Sequence, residues 1–293
     1  MNADITVTVL GGDTRQLYAA KRLAEKGYSV SVFGFELNDK ADSFPKAVSL
    51  EAALRNDIIL LPLPVSKNNR TLNASFSENE IPLKSITDSL PHGKHVLLGM
   101  GSDSFVRELL GTGAEIYDYF KREELTIKNA LLTAEGIVGI ILDRLPVTVY
   151  GLKAAVTGYG RVGFFTCRIL KAMGAEVTVF ARSAVQRTKA ETAGLNSADI
   201  KELNKKIKDF DCVINTVPSR VINAAAVESS APDCLFIETA SAPYGIDFNA
   251  CADKKRALVK AFSLPGKTSP ETAGNIIADT ADCIIREAIS WKN

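Results

Sequence analysis

The segment Lys153–Ser183, KAAVTGYGRVGFFTCRILKAMGAEVTVFARS, spells out a strand, a glycine-rich turn, a helix and a second strand. Ala154–Thr157 is a short apolar run that enters Gly158-x-Gly160-x-x-Gly163 directly. Helical spacing follows, and Val177–Phe180 reads as the next strand. In such a turn the first glycine permits the tight bend and the second lets the backbone approach a pyrophosphate. The third lets the helix pack near the strand, and the helix N-terminus faces the anion. Gly158, Tyr159, Gly160, Arg161, Val162 and Gly163 are therefore expected to form a dinucleotide site. The end of the second strand indicates the cofactor type. Ala181-Arg182-Ser183 stands where an NAD site carries Asp or Glu for the ribose hydroxyls. An arginine beside a hydroxyl attracts a 2′-phosphate, and Arg187 or Lys189 adds charge. NADP(H) is favoured over NAD(H); a solvated Arg182 and a Ser183 N-cap remain the alternative. Thr216, Val217 and Pro218, after the strand Cys212–Val217, are expected to line the nicotinamide side. Ala240, after the strand Leu235–Glu238, completes the cofactor set.

The same alternation extends along the whole chain. Apolar, β-branched runs occur at Ile5–Leu10, Val30–Phe35, Asp57–Leu63, His95–Met100, Ile116–Phe120 and Ala257–Phe262, with helical segments such as Arg15–Lys26, Ser104–Leu110 and Ile200–Ile207 between runs. Nearly continuous apolar strands alternating with helices indicate parallel sheets covered on both faces. A shift of 147 residues places Gly11 on Gly158, Gly27 on Gly174, and Val30, Val32 and Phe33 on Val177, Val179 and Phe180. This is either an internal repeat or chance convergence of two α/β units. The expected fold class is α/β: two doubly wound, Rossmann-like domains with mostly parallel sheets, joined by a long helix and facing each other across a cleft. That helix spans about Arg122–Leu145, with Thr133 capping its second part, Glu135 in the following turn and Pro146 ending it. The expected domains are a flavodoxin- or Rossmann-like substrate domain, 1–132, completed by a C-terminal helix over 270–293, and an NADP-binding Rossmann domain, 133–269.

Composition bounds the function. The chain has 293 residues, 35 Lys+Arg against 34 Asp+Glu, and 46% apolar residues. Balanced charge argues against nucleic-acid binding. No apolar run approaches the roughly 20 residues of a membrane helix, and no signal-peptide pattern precedes the first strand. Five widely spaced cysteines without a CxxC suggest reduced thiols in a cytoplasmic protein. The two histidines, His92 and His95, sit in one loop-to-strand junction, so no metal site is expected. In the first half Gly11-Gly12-Asp13-Thr14-Arg15-Gln16 occupies the turn equivalent to the glycine motif. Asp13 falls where a pyrophosphate would lie, which disfavours a second dinucleotide there. Asp13, Arg15 and Gln16 are read instead as substrate-binding, with Arg15 pairing a carboxylate; helix-cap and surface roles stay open.

These motifs together resemble the A-subunit family of bacterial dipicolinate synthases over essentially the whole chain. The residues carrying the resemblance are Gly11-Gly12-Asp13-x-Arg15-Gln16-Leu17, Leu61-Pro62 with Pro64-Val65-Ser66, and Thr133-Ala134-Glu135-Gly136. Farther on they are the glycine turn, Ala181-Arg182-Ser183, Asn215-Thr216-x-Pro218-Ser219, Ala240-Ser241 with Gly245-x-Asp247-Phe248, and Leu264-Pro265-Gly266 with Pro270-x-Thr272-Ala273-Gly274. The GGDxRQ opening with the LPG…TAG ending is the specific part. Where the family carries Arg-Pro-Gly-Gly, this chain has Ala242-Pro243-Tyr244-Gly245, so no arginine role carries over there. The resemblance implies NADP-linked oxidation of dihydrodipicolinate, or of 4-hydroxy-tetrahydrodipicolinate from the lysine/diaminopimelate pathway, to dipicolinate during sporulation. It also implies a flavoprotein-like partner, the B subunit, in the cytoplasm of the mother cell; homo-oligomerisation is left open. Arg15 and Lys267 are candidates for holding the two substrate carboxylates, with Thr133 beside them. Glu135, Ser241 and Asp247 are candidates for catalysis. Two competitors remain. A 2-hydroxyacid dehydrogenase is disfavoured because no histidine follows His95. A non-catalytic NADP-binding regulatory subunit stays open.

Overall fold

The computed structural model describes residues 5–290. The strands are β1 (Thr6–Leu10), β2 (Ser29–Phe33), β3 (Ile58–Leu60), β4 (His95–Leu98), β5 (Glu115–Asp118), β6 (Lys153–Thr157), β7 (Glu176–Ala181), β8 (Asn196–Asp199), β9 (Cys212–Asn215), β10 (Leu235–Glu238) and β11 (Leu258–Lys260). Between them lie α1 (Thr14–Glu25), α2 (Leu50–Ala53), α3 (Leu83–Ser89), α4 (Asp103–Gly111), α5 (Glu123–Arg144), α6 (Arg161–Ala172), α7 (Ala184–Thr192), α8 (Leu203–Lys206), α9 (Ala224–Ser229), α10 (Phe248–Asp253) and α11 (Leu264–Thr268). The last helix is α12 (Pro270–Ser290).

The strands form two wholly parallel sheets, ordered β2-β1-β3-β4-β5 and β11-β10-β9-β6-β7-β8. Counted from its own first strand, the second has the doubly wound order 3-2-1-4-5-6. The strand order reverses beside β6 there and beside β1 in the first sheet, and a crevice opens at such a reversal, outside the carboxyl ends of the strands. Contacts divide the chain into two compact units. The first runs to Asn129 and resumes at Ser269; the second is Ala130–Thr268.

Each sheet has apolar side chains on both faces. In the first unit, Val7, Val9, Ile58 and Leu60 pack on one side while Leu10, Ile59, Leu61 and Leu98 pack on the other. The second unit repeats this with Ala154, Val156, Ile214 and Ile237 against Ala155, Val213 and Phe236. Helix α12 joins the first core through Ile277, Ala278, Ala281 and Ile284, which meet Leu17, Ala20 and Leu23 of α1. Polar groups clamp the same pair. Asp282 accepts from Tyr28 Oη at 2.6 Å, Lys26 Nζ at 3.1 Å and Arg286 Nε at 2.8 Å, and Asp279 pairs with Lys26 and Arg22.

Three local expectations need correction. Thr133 does not cap a second helix segment, because α5 is unbroken from Glu123 to Arg144 and Thr133 lies inside it. The segment 200–207 is a chain of short turns, a 3-10 turn at Ile200–Glu202 followed by α8, begun by a capping box between Asp199 and Glu202. Helix α5 is also long and apolar enough, by length and composition, to cross a membrane. Yet 56% of its apolar window is buried inside the protein, with Ala134, Ile137 and Ile141 in the core. Those are the marks of a core helix.

Candidate dinucleotide site

The carboxyl end of β6 runs into the glycine turn in the second unit. Gly158 has φ +81°, a left-handed conformation that suits glycine, and its N–H donates to Phe180 O at 2.8 Å. A Cβ on Gly163 would lie 2.4 Å from Gly158 O, so this glycine lets α6 pack against the turn. Gly160 is the N-cap of α6 and carries no side-chain cap. A Cβ there would meet nothing within 4 Å. Gly160, Arg161 and Val162, at the start of α6, line the cavity described next, and a helix N-terminus is where an anion binds.

A cavity of about 440 Å³ lies over this turn. Gly158, Gly160, Arg161 and Val162 form its floor; Phe180, Ala181, Arg182 and Ser183 come from the end of β7. Thr216, Val217 and Pro218 line the same cavity, held by Thr216 Oγ1 donating to Thr157 O at 2.6 Å. Gln186, Ile200 and Val221 also line it, and none of the three stands out in the sequence as a ligand-binding residue. Gln186 carries a signal in retrospect, three residues after Ser183 in the first turn of α7. Ile200 and Val221 arrive through tertiary packing alone.

The other cofactor candidates fall outside the cavity lining. Tyr159 is 9% exposed, with its ring edge-on to Phe164 at 5.9 Å. Ala240 is buried on the loop after β10. Arg187, expected to add charge to the site, braces the turn below it. Its Nη1 donates to Ala181 O at 2.8 Å, to Arg182 O at 2.9 Å and to Asp199 at 3.1 Å. Arg182 is exposed at the cavity edge. Ser183 caps α7 by accepting from Gln186 N and also lines the cavity, so its two readings coexist. The helix N-terminus at the cavity, the empty space at Gly160 and the cation at Arg182 fit the phosphates of a dinucleotide.

The remaining candidates lie on separate elements of the two units. Asp13 caps α1 and holds Arg15 through Nε at 2.9 Å and Nη2 at 2.7 Å. Arg15 also donates to Leu63 O at 2.6 Å and is 6% exposed, so its guanidinium is engaged within the fold. Gln16 is buried, donating to Leu61 O. Leu72 and Ala74 cover this turn. A Cβ on Gly11 would lie 2.6 Å from Leu72 Cδ2, and Ser75 N donates to Gly12 O at 3.0 Å. At the helix start equivalent to Gly160 stands Asp13, whose carboxylate accepts from Arg15 N and Nε, so the anion position there is taken by the chain's own side chain. Thr133 and Glu135 lie within α5, Glu135 exposed, and Lys267 is exposed on α11. Ser241 is exposed, whereas Asp247 caps α10 and pairs with Arg220 at 3.2 Å. Among the described residues no group of three His, Cys, Asp or Glu is placed to hold a metal. Burial pushes the Cys167 and Cys234 thiols up to about 12 and Cys251 up to about 11, so none of these offers a thiolate at neutral pH.

Known proteins share this architecture and its motifs. The family of N-terminal domains of the dipicolinate synthase A subunit matches residues 6–120. The D-isomer specific 2-hydroxyacid dehydrogenase NAD-binding domain family matches residues 142–250. The dipicolinate synthase A subunit of Bacillus subtilis is 29% identical over 98% of this chain and 98% of its own length. The whole chain is a relative of the dipicolinate synthase A subunit. The crystal structure of that enzyme's A chain from Bacillus subtilis superposes with a TM-score of 0.86 at 28% identity, covering 99% of both chains. The corresponding A subunit from Bacillus halodurans gives 0.86 at 27% identity, covering 97% of this chain and 98% of that one. Like these dipicolinate synthase A chains, the protein combines two parallel α/β sheets. Its second unit carries an NAD-binding domain of the 2-hydroxyacid dehydrogenase type, which supports a dehydrogenase using a nicotinamide cofactor.

Proposed function

We propose that the chain acts as the A subunit of a dipicolinate synthase, oxidising dihydrodipicolinate to dipicolinate with NADP⁺ as hydride acceptor. The observation that carries this reading is the start of α6 with Arg182 and Ser183 on one cavity, in a chain similar end to end to the dipicolinate synthase A subunit. Arg182 and the Ser183 hydroxyl hold the 2′-phosphate, and the N–H groups at the start of α6 hold the pyrophosphate. Thr216, Val217 and Pro218 bound the same cavity, and the nicotinamide half continues toward Ala240 and Ser241 beyond β10. A dihydropyridine dicarboxylate becomes aromatic by losing one hydride and one proton; the hydroxylated tetrahydro form first loses water. When bound, the nicotinamide accepts the hydride. The proton leaves to water or to a modest base, because aromatisation supplies the driving force. Lys267, exposed and without a role in the core, is the retained candidate for a substrate carboxylate. A flavoprotein-like B subunit is the partner, in the mother cell of a sporulating bacterium.

A second reading is that the chain binds nucleotide while its partner completes the catalytic centre. The engagement of Asp13 and Arg15 with each other, of Arg15 with Leu63 O, and of Asp247 with Arg220 favours it. One experiment separates the two: the isolated chain is supplied with NADP⁺ and dihydrodipicolinate, and NADPH is followed by absorbance. Turnover by the chain alone supports the first reading. Cofactor binding with turnover only after the B subunit is added supports the second.

A further inference from the structure

The loop after β10 closes on a buried carboxylate. Glu238, the last residue of that strand, is 0% exposed. Its Oε1 accepts from Asn215 Nδ2 at 2.6 Å and from Ala240 N at 2.9 Å. Its Oε2 accepts from Gly245 N at 2.8 Å and from Ile246 N at 2.9 Å. All four donors are uncharged, and three are backbone N–H groups of one short loop. Taking a carboxylate out of water is costly, and donors in fixed geometry are what offset it.

The network continues beneath the cavity. Asn215 Oδ1 accepts from Thr157 Oγ1 at 2.5 Å and from Val217 N at 3.3 Å, while Asn215 Nδ2 also donates to Val217 O at 3.0 Å. A carboxylate only accepts, so Glu238 dictates which way the Asn215 amide faces. The backbone of Gly245 lies flat on that amide, where a Cβ would come within 2.3 Å of Asn215 Nδ2. One bonded chain thus ties together the ends of β6, β9 and β10.

We infer that Glu238 is a positioning residue for the nicotinamide half of the dinucleotide, a claim that rests on the cofactor reading proposed above. In a doubly wound sheet the half built on β9–β11 receives the second mononucleotide. The loop clasped by Glu238 belongs to that half and carries Ser241. Without the carboxylate, the loop loses the acceptor for three of its N–H groups. Asn215 keeps Thr157 and both Val217 bonds, so the wall at Thr216–Pro218 stays in place. The far side of the loop is anchored separately: Tyr244, at φ +60°, sets its ring 5.1 Å from Phe248 and 5.2 Å from Phe262. Loss of the clasp therefore loosens the loop and leaves the sheet intact.

The test is calorimetric titration of the full chain, wild type and Glu238→Gln. Each is titrated with whichever of NADP⁺ and NAD⁺ the wild type binds more tightly, and with the nicotinamide-free counterpart, 2′-phospho-ADP-ribose or ADP-ribose. Affinity for the whole dinucleotide should fall about tenfold while affinity for the nicotinamide-free ligand changes less than about twofold. Equal loss for both ligands, or no change in either, overturns the inference. Glu238→Asp keeps the charge but is too short to reach all four donors; it should show the same split at about threefold and decides the matter if the glutamine variant does not fold. A wild type that binds neither dinucleotide removes the cofactor reading and this inference with it. A wild type that binds, with variants showing no split, removes the inference alone.

Discussion

Gly160 and Gly163 stand three residues apart in one motif and should respond to substitution in opposite ways. Valine at Gly160 projects into open space, so Gly160→Val should abolish dinucleotide binding with little change in melting temperature. Alanine at Gly163 meets a backbone oxygen, so Gly163→Ala should cost about 1–3 kcal/mol of stability. Calorimetry with and without nucleotide checks both; a destabilised Gly160→Val or an unperturbed Gly163→Ala contradicts the geometry. Arg182→Asp replaces a cation at the cavity edge with an anion. It should cut the preference for NADP⁺ over NAD⁺ by about 10–100-fold, and an unchanged ratio of dissociation constants would remove the 2′-phosphate assignment. These residues were legible because a turn motif fixes its own geometry. Arg187 was not, because its partner Asp199 lies on an edge strand that the sequence hides. Nor was Arg15: a cation next to an aspartate in a turn reads equally as a ligand for substrate and as a cap partner, and only its bond to Leu63 O distinguishes them.

At the scale of elements, β1, β3, β4, β6, β9 and β10 were readable because they are buried along almost their whole length, and the edge strands β2, β5 and β11 because they keep apolar or β-branched residues. Strand β8, Asn-Ser-Ala-Asp, was not, since as an edge strand it pairs only with β7 and has one buried residue. Helices α2, α9 and α10 have only 4 to 6 residues, too short for a period to show. Helix α12 reads clearly, and its clamp on α1 makes a pH prediction. Burial raises the Asp282 carboxyl, but the bonds from Tyr28, Arg286 and Lys26 outweigh it and hold its pKa below the usual 3.8. Asp279 is lowered likewise, with burial opposed by Lys26 and Arg22. A lowered folded pKa means that the unfolded chain binds more protons in this window. The contribution is complete above pH 3.8 and is lost as pH falls through the folded values. Lys26 has the opposite sign: burial lowers it, the two aspartates more than compensate, and its raised pKa makes its contribution fade only above pH 10.5. Asp282→Asn should cost the first unit about 2 kcal/mol at neutral pH and flatten the acid limb of its stability curve. Denaturation measured from pH 7 to pH 3 checks this, and an unchanged acid limb would show that the clamp is not what titrates.

At the scale of the whole molecule, the two units share a parallel plan but differ at the turn after their first strand. Gly160 starts its helix with no side chain and open space above it, whereas Asp13, at the equivalent position, caps its helix with a carboxylate held by Arg15. A shift of 147 residues made the shared plan visible, and Asp13 hinted at the difference. What the sequence did not show is that Arg15 is taken up by Asp13 and by Leu63 O, a carbonyl 48 residues away. It follows that the chain should bind one dinucleotide, in its second unit. The direct measurement is calorimetric titration of the wild-type chain with NADP⁺ and NAD⁺, paired with a thermal shift. The account predicts a single saturable site per chain, tighter for NADP⁺, that is lost in Gly160→Val. No heat and no thermal shift with either nucleotide, or a site that survives Gly160→Val, would contradict it.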